Sequence, residues 1–211
     1  MDKSPVNILD EISKLVPTTK SDLNYENIFQ LLIAVMLSAQ TTDERVNLVT
    51  PVLFKRYPTY NELAGAEVED VEKIISSLGL FRTKARNLIK MANQLKNEFN
   101  GIVPESREKL ITLAGVGRKT ANVVLSEGFK IPAIAVDTHV TRVANRLELT
   151  DSDNVLVIEK DLEAYFPKAL WAKAHISLVH FGRYICKAQN PNCEICPFKN
   201  ICRYYRQNIT K

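Results

Sequence analysis

The feature that most constrains this 211-residue chain is a group of four cysteines within seventeen consecutive residues. They are the only cysteines in the sequence and follow the spacing C-x6-C-x2-C-x5-C, at Cys186, Cys193, Cys196 and Cys202. Four thiols this close in the sequence suit one metal centre better than four unrelated buried cysteines. An iron–sulfur cluster with four cysteine ligands is the interpretation that the spacing favours.

Other interpretations of the cysteines stay open on spacing alone. Structural zinc usually takes two short knuckles, and only Cys193 and Cys196 form a C-x-x-C pair. Two disulfides would suit a secreted protein, but Met1–Leu15 is charged throughout and lacks the apolar core of a secretion signal. We therefore expect reduced thiols and a cytoplasmic protein. The longest apolar run, Leu31–Leu37, is too short to span a bilayer, so we expect no membrane partner.

The distribution of charge along the chain indicates a possible binding partner more clearly than the net charge of +4 does. The segment from Arg82 to Lys96 contains five basic residues and no acidic one. The segment from Arg183 to Arg206 contains five basic residues and a single acidic one, Glu194. Such patches attract polyanions, although solvated helix faces would give the same pattern.

Apolar residues recur with helical period along almost the whole chain, and no stretch alternates convincingly with period 2. The pattern predicts an all-α protein of about ten short helices. The fully apolar Leu31–Leu37 predicts a central helix buried on most sides. Later helices are predicted over Asp137–Leu147, Val155–Tyr165 and Ala169–Ile185, and Pro104 is predicted to open an earlier one.

Between two of these helices lies the segment Leu113-Ala-Gly-Val-Gly-Arg-Lys-Thr, which predicts a tight hairpin. Gly115 and Gly117 both permit positive φ. We expect the backbone N–H groups of Gly115, Val116 and Gly117 to face one direction, where they and the next helix could bind a phosphate. A plain helix connection ending in a glycine cap is the alternative.

Lys119 and Asp137 are the two candidate catalytic side chains. Lys119 lies in the first turn of the helix that follows the hairpin, beside Arg118. The positive end of that helix and the neighbouring guanidinium both disfavour an ammonium, which would free the amine as a nucleophile. Asp137 begins the segment Asp-Thr-His and is a natural helix N-cap, a role that is compatible with a catalytic carboxylate.

In these segments, and in Leu37-Ser-Ala-Gln-Thr-Thr-Asp43, the chain resembles the endonuclease III family of base-excision DNA glycosylases. The resemblance extends over nearly the whole length. It implies a helix–hairpin–helix six-helix domain over residues 21–131. A discontinuous [4Fe–4S] cluster domain would take residues 1–20 and 132–211. The implied partner is double-stranded DNA with damaged bases or abasic sites, bound by a monomer at the bacterial nucleoid.

The resemblance also implies roles for single residues. Lys119 would attack the sugar, release an oxidised pyrimidine and cut the strand through a Schiff base, assisted by Asp137. Gln40 would fill the space left by the extruded nucleotide, and Leu80 would wedge between bases. The hairpin and His139 would contact DNA. Ala114 stands where the family often has proline.

Two other functions remain as alternatives. A monofunctional, mismatch-specific glycosylase usually lacks a lysine at the position of Lys119, and Ala34 lies where adenine-specific relatives would carry a glutamate. A DNA-binding iron–sulfur module without hydrolytic chemistry would not need the Lys119–Asp137 pair. Trapping the protein on DNA with borohydride separates these possibilities from a Schiff-base lyase.

Overall fold

The computed structural model describes residues 3–17 and 21–209 of the chain. Within these residues the backbone forms twelve α-helices and no strand, which confirms the predicted all-α class. The helices are α1 Pro5–Ser13, α2 Ile28–Leu37, α3 Asp43–Arg56, α4 Tyr60–Ala64, α5 Val68–Ile75, α6 Phe81–Glu98, α7 Arg107–Leu110, α8 Arg118–Val123, α9 Thr138–Arg146, α10 Val155–Tyr165, α11 Trp171–His180 and α12 Arg203–Asn208.

The chain divides into two compact units. Ser21–Lys130 forms one, called here the continuous unit. Met1–Lys20 and Ile131–Lys211 together form the other, called here the discontinuous unit. Each unit has its own buried apolar core, so each is described by itself.

Helix α2 is the centre of the continuous unit. Its first turn is capped by the Asn27 side chain, which accepts a hydrogen bond from the Gln30 N–H at 2.9 Å. Every residue from Gln30 to Leu37 is buried, as the unbroken apolar sequence predicts. The long helix α6 packs against α2, and α4 and α5 pack against α6. This packing places the N-terminal end of α6 near the C-terminal end of α2, where several candidate residues lie.

The discontinuous unit joins α1 to α9–α12. Helix α1 packs against α11 and contributes Ile8, Leu9 and Ile12, none of which is more than 1% exposed. Phe181 and Phe198 meet edge to face within the same core, with 5.5 Å between ring centroids. The core therefore needs residues from both ends of the chain, and it supports the loop that carries the cysteines.

Three details differ from the sequence prediction or refine it. The predicted helix over Ala169–Ile185 is divided into a 3-10 turn at Lys168–Leu170, the helix α11 and a π-helical turn at Phe181–Ile185. The expectation that Pro104 opens a helix is wrong, because α7 begins three residues later and is capped by the Ser106 side chain. In the part of the chain that the structure describes, no helix is both long and apolar enough to cross a membrane.

Candidate functional site

The hairpin between α7 and α8 is built around Gly115. The Val116 N–H donates to the Leu113 carbonyl at 3.1 Å, which closes the turn. Gly115 has a φ of +76°, and an added Cβ would lie 2.9 Å from the Asn87 amide nitrogen on α6. This position therefore requires glycine for both its conformation and its close approach to α6.

Gly117 differs from the prediction. It is the N-cap of α8 with an ordinary extended φ of −93°, and an added Cβ would meet nothing within 4 Å. The expectation that the three hairpin N–H groups face one direction is also wrong for Val116, whose side chain is buried and whose N–H is used inside the turn. The first turn of α8 adds backbone N–H groups to this site, because a helix has no internal partners for its first N–H groups.

Gln94 on α6 fixes the incoming side of the hairpin. Its side-chain nitrogen donates to the Thr112 carbonyl at 3.0 Å, and its side-chain oxygen accepts the Ala114 N–H at 2.7 Å. A proline at position 114 would have no N–H to donate. The chain thus replaces the stiffness of a proline by a hydrogen bond to a neighbouring helix.

Lys119 and Asp137 occupy the helix starts that the sequence predicts. Lys119 is exposed at the second position of α8, directly after the hairpin. Asp137 lies in the discontinuous unit as the N-cap of α9, where its Oδ1 accepts the Val140 N–H at 2.8 Å. A carboxylate has further acceptor capacity, so capping leaves Asp137 able to stabilise a nearby cation or to move a proton.

Gln40 and Leu80 share an unusual backbone conformation in the continuous unit. Both are exposed and both have positive φ, 54° for Gln40 and 58° for Leu80. An added Cβ on Gly79 would lie 3.9 Å from the Gln40 carbonyl oxygen, so the two turns are neighbours. Left-handed backbone is costly for residues with a Cβ, and such strain concentrates at functional sites.

His139 packs against the π-helical turn that follows α11. It is half-buried on α9, and an added Cβ on Gly182 would lie 2.8 Å from the His139 Cβ. Arg142 Nη2 lies 3.0 Å from His139 Nδ1 and donates to the Gly182 carbonyl at 2.6 Å. Burial lowers the pKa of His139, although Asp137 opposes this.

The four cysteines line one cavity in the discontinuous unit. No carboxylate or histidine is among its walls, and Arg146 is their only charged side chain. Among the described residues, no three His, Cys, Asp or Glu side chains form a group that could hold a single metal ion. A set of thiols spread around a cavity suits a cluster of several irons better than one zinc ion, which needs all four sulfurs about 2.3 Å from one point.

The thiols must lose protons before they bind iron. Burial is the largest of the causes that raise the pKa of Cys196 to about 11. Burial likewise raises the pKa of Cys186, against the pull of Arg146. The metal-free loop therefore holds protonated thiols at these positions, and cluster assembly displaces those protons.

Two arginines hold the cysteine loop, and neither was predicted from the sequence. Arg146 donates to Cys186 Sγ at 3.3 Å and to the Lys187 and Ala188 carbonyls, and it lies over the Tyr204 ring, 3.9 Å from its centroid. Arg142 donates to the Cys186 carbonyl at 2.9 Å. Their spacing of four residues on α9 could have indicated from the sequence that the two side chains act together, because residues i and i+4 lie on the same helix face.

The two basic segments are less uniformly exposed than their sequences suggest. In the first, Lys84 is buried, with 7% of its surface exposed. In the second, Arg203 pairs with Asp151, and Arg206 pairs with Glu148 at 2.6 Å. These three cations are already engaged within the fold, so fewer remain to meet a polyanion.

Comparison with known families agrees with this architecture. Residues 33–168, well over half of the chain, match the model of the HhH-GPD superfamily of base excision DNA repair proteins. Residues 186–202, the cysteine loop, match the iron–sulfur binding domain of endonuclease III. The fold and the site thus define a class of all-helical base excision DNA repair proteins with an iron–sulfur cluster.

Individual relatives narrow the class. The chain is 45% identical over 196 residues to endonuclease III of Bacillus subtilis, which covers 92% of this chain and 90% of the relative. It is also similar to a trapped covalent endonuclease III–DNA intermediate, with a TM-score of 0.92, 46% identity and 98% of each chain covered. It is similar as well to a non-covalent endonuclease III–DNA complex, with a TM-score of 0.93 and 47% identity. That match covers 98% of this chain and 97% of that chain.

The chain belongs to the endonuclease III family of the HhH-GPD superfamily. It is a DNA-binding repair enzyme of the DNA glycosylase and abasic-site lyase class, and an iron–sulfur cluster is its cofactor.

Proposed function

We propose that this enzyme is bifunctional: it removes oxidised pyrimidines from double-stranded DNA and then cleaves the abasic site, with Lys119 as the nucleophile. The observation that carries the proposal is an exposed lysine directly after a hairpin in which Gly115 requires positive φ. A relative of the same family has been trapped as a covalent complex with DNA, which supports a covalent step here.

In the proposed reaction, the neutral amine of Lys119 attacks the sugar C1′ of the extruded nucleotide. The bond from C1′ to the base breaks, and the base leaves with the bonding electrons and takes up a proton. Loss of the amine proton and opening of the sugar ring give an iminium joined to Lys119. Removal of a C2′ proton then expels the 3′ phosphate oxygen by β-elimination. Water hydrolyses the remaining imine and restores the lysine.

Asp137 has two roles in this proposal. Its charge stabilises the positive charge that develops on the sugar when the base leaves. Its carboxylate also accepts and returns protons during ring opening and elimination. The hydrogen bond from the Val140 N–H holds the carboxylate in one orientation at the start of α9.

The proposal also assigns the binding surfaces. The hairpin and the first turn of α8 would hold a DNA phosphate without reading sequence. Gln40 and Leu80 would enter the duplex where the damaged nucleotide leaves it. The continuous unit would be the helix–hairpin–helix domain, and the discontinuous unit would be the cluster domain, with the cluster held by the four cysteines. The enzyme would act as a monomer at the nucleoid of a bacterial cell.

The test is covalent trapping with borohydride on a duplex that contains one abasic site. Wild-type protein should be trapped, because borohydride reduces the imine to a stable amine. Lys119→Gln should bind the same duplex but give no covalent product. Lys109→Gln removes the same charge ten residues earlier in the chain and should still be trapped. Trapping of Lys119→Gln at the wild-type yield would rule out Lys119 as the nucleophile.

A further inference from the structure

Lys84 is an unusual residue for the interior of the continuous unit. It lies in the first turn of α6, and only 7% of its surface is exposed. Its ammonium donates to the Leu37 carbonyl at 2.9 Å and to Thr41 Oγ1 at 2.9 Å. A buried ammonium is expensive unless it is well hydrogen-bonded, so these two contacts are the reason that a lysine is tolerated there.

Both acceptors belong to the turn that leaves α2. Leu37 is the last residue of α2, where the helix carbonyls have no internal partners and the helix dipole favours a cation. Thr41 follows Gln40 directly. The Lys84 side chain therefore connects α6 to both ends of the short turn that carries Gln40.

The backbone of Lys84 makes the second connection. Its N–H donates to the Leu80 carbonyl at 3.0 Å and so closes the first turn of α6 after the left-handed Leu80. The turn that carries Gln40 and the backbone carbonyl of Leu80 are thus both hydrogen-bonded to one buried lysine. Left-handed backbone persists only where the surroundings hold it in place.

We propose that Lys84 is a positioning residue that holds Gln40 and Leu80 in the arrangement needed to extrude a damaged base. This inference rests on the proposed roles of Gln40 and Leu80, and it gives Lys84 no chemical step, because the side chain is buried. Burial also lowers the pKa of Lys84, yet the two acceptors are best satisfied by the ammonium form.

A positioning role has a specific kinetic signature. Extrusion costs most when the damaged base is well paired and stacked, and least when it is mismatched. Loss of Lys84 should therefore slow excision strongly in a fully paired duplex and weakly in a mismatched one. A purely structural lysine would lower both rates by the same factor, because less folded enzyme would be present.

The experiment compares Lys84→Met with Lys55→Met, an exposed lysine on α3. Single-turnover excision is measured with the same damaged pyrimidine in paired and mismatched duplexes, and 2-aminopurine fluorescence beside the lesion reports extrusion directly. We expect Lys84→Met to slow excision from the paired duplex by roughly 10- to 100-fold, the range that small misplacements cost. The mismatched duplex should lose less than about threefold, a change of about 0.6 kcal/mol, and Lys55→Met should match wild type on both.

Thr41→Val and Thr41→Ser form a second pair in case Lys84→Met folds poorly. Thr41→Val removes one of the two acceptors and should slow excision from the paired duplex selectively, but by a smaller factor than Lys84→Met. Thr41→Ser keeps the hydroxyl and should excise from the paired duplex at the wild-type rate. Equal slowing on both duplexes, or no slowing on either, would overturn the positioning role. Failure of wild-type protein to be trapped by borohydride would instead count against the proposed function, whatever the Lys84 variants do.

Discussion

Glu127 carries a carboxyl group into the interior of the continuous unit. It lies in the π-helical turn that extends α8, with 9% of its surface exposed. Its Oε2 atom has no hydrogen-bond partner within the described structure, while Ser21 helps to satisfy the group. Burial, reinforced by Asp43 and opposed by Lys130, raises the pKa of Glu127 from 4.5 to about 7.

This shift predicts a stability that depends on pH. Between the unfolded pKa of 4.5 and the folded pKa of about 7, the folded state binds the proton and the unfolded state does not. The stabilisation is therefore complete below about pH 4.5 and is lost as pH rises through about 7, by up to about 3 kcal/mol. Glu127→Gln cannot titrate, so it should melt higher than wild type at pH 8 and close to wild type at pH 5.

The measurement is the melting temperature of wild type, Glu127→Gln and Glu44→Gln between pH 4.5 and pH 8.5. Glu44 is an exposed glutamate on α3 and supplies the matched loss of charge. The melting temperature of Glu44→Gln should change with pH in the same way as that of wild type. A Glu127→Gln curve that is also parallel to wild type would contradict the assignment of this titration to Glu127.

At the scale of elements, the two hairpin glycines look equivalent in the sequence but have different backbone conformations and surroundings in the structure. Gly115→Ala places a Cβ at positive φ and 2.9 Å from Asn87, so the turn must shift or strain. We expect a loss of about 1–2 kcal/mol in the free energy of unfolding and roughly tenfold weaker DNA binding. The salt dependence of binding should not change, since no cation is removed.

Gly117→Ala is the matched comparison for stability. Its φ suits any residue and its surroundings are open, so the free energy of unfolding should change by less than about 0.5 kcal/mol. Chemical denaturation gives the stability of both variants, and fluorescence anisotropy at several salt concentrations gives DNA affinity for Gly115→Ala. Wild-type affinity in a strained Gly115→Ala protein would mean that the hairpin only connects two helices.

Elements were easier to predict from the sequence than contacts. Helix α10 begins and ends at the predicted residues, Val155 and Tyr165, because local apolar periodicity defines it. The conformations of Gly115 and Gly117 could not be told apart, since φ there depends on the approach of Asn87 from α6. For the same reason the sequence groups Lys84 with a basic segment, because nothing local shows that its acceptors lie 43 and 47 positions away in sequence.

At the scale of the whole molecule, the cluster should stabilise one unit much more than the other. The cysteines and both arginines that hold their loop belong to the discontinuous unit, and the continuous unit has its own core around α2. Cys196→Ala should therefore lose iron and its visible absorption. Trypsin should then cut rapidly after Lys187 and Lys199, while sites in the continuous unit stay protected for longer.

Gln189→Ala is the control for that experiment, because Gln189 lies exposed in the same loop and carries no thiol. This variant should keep iron at the wild-type level and resist trypsin as wild type does. Full iron content in Cys196→Ala would remove this cysteine from the ligand set. Equally fast cutting of both units would show that the cluster stabilises the whole chain rather than its own unit.

The way α1 closes the core of the discontinuous unit has a consequence during synthesis on the ribosome. Ile8, Leu9 and Ile12 leave the ribosome early, yet the helix that covers them, α11, is made roughly 160 residues later, an interval of about 8–30 s at ordinary translation rates. Throughout that interval the nascent chain exposes an apolar helix, and the segment Ser21–Lys130 is complete only in the last part of it, once Lys130 has been made. A newborn chain should therefore be most dependent on chaperones before α11 emerges, at a stage when the hairpin proposed to bind DNA has already been made.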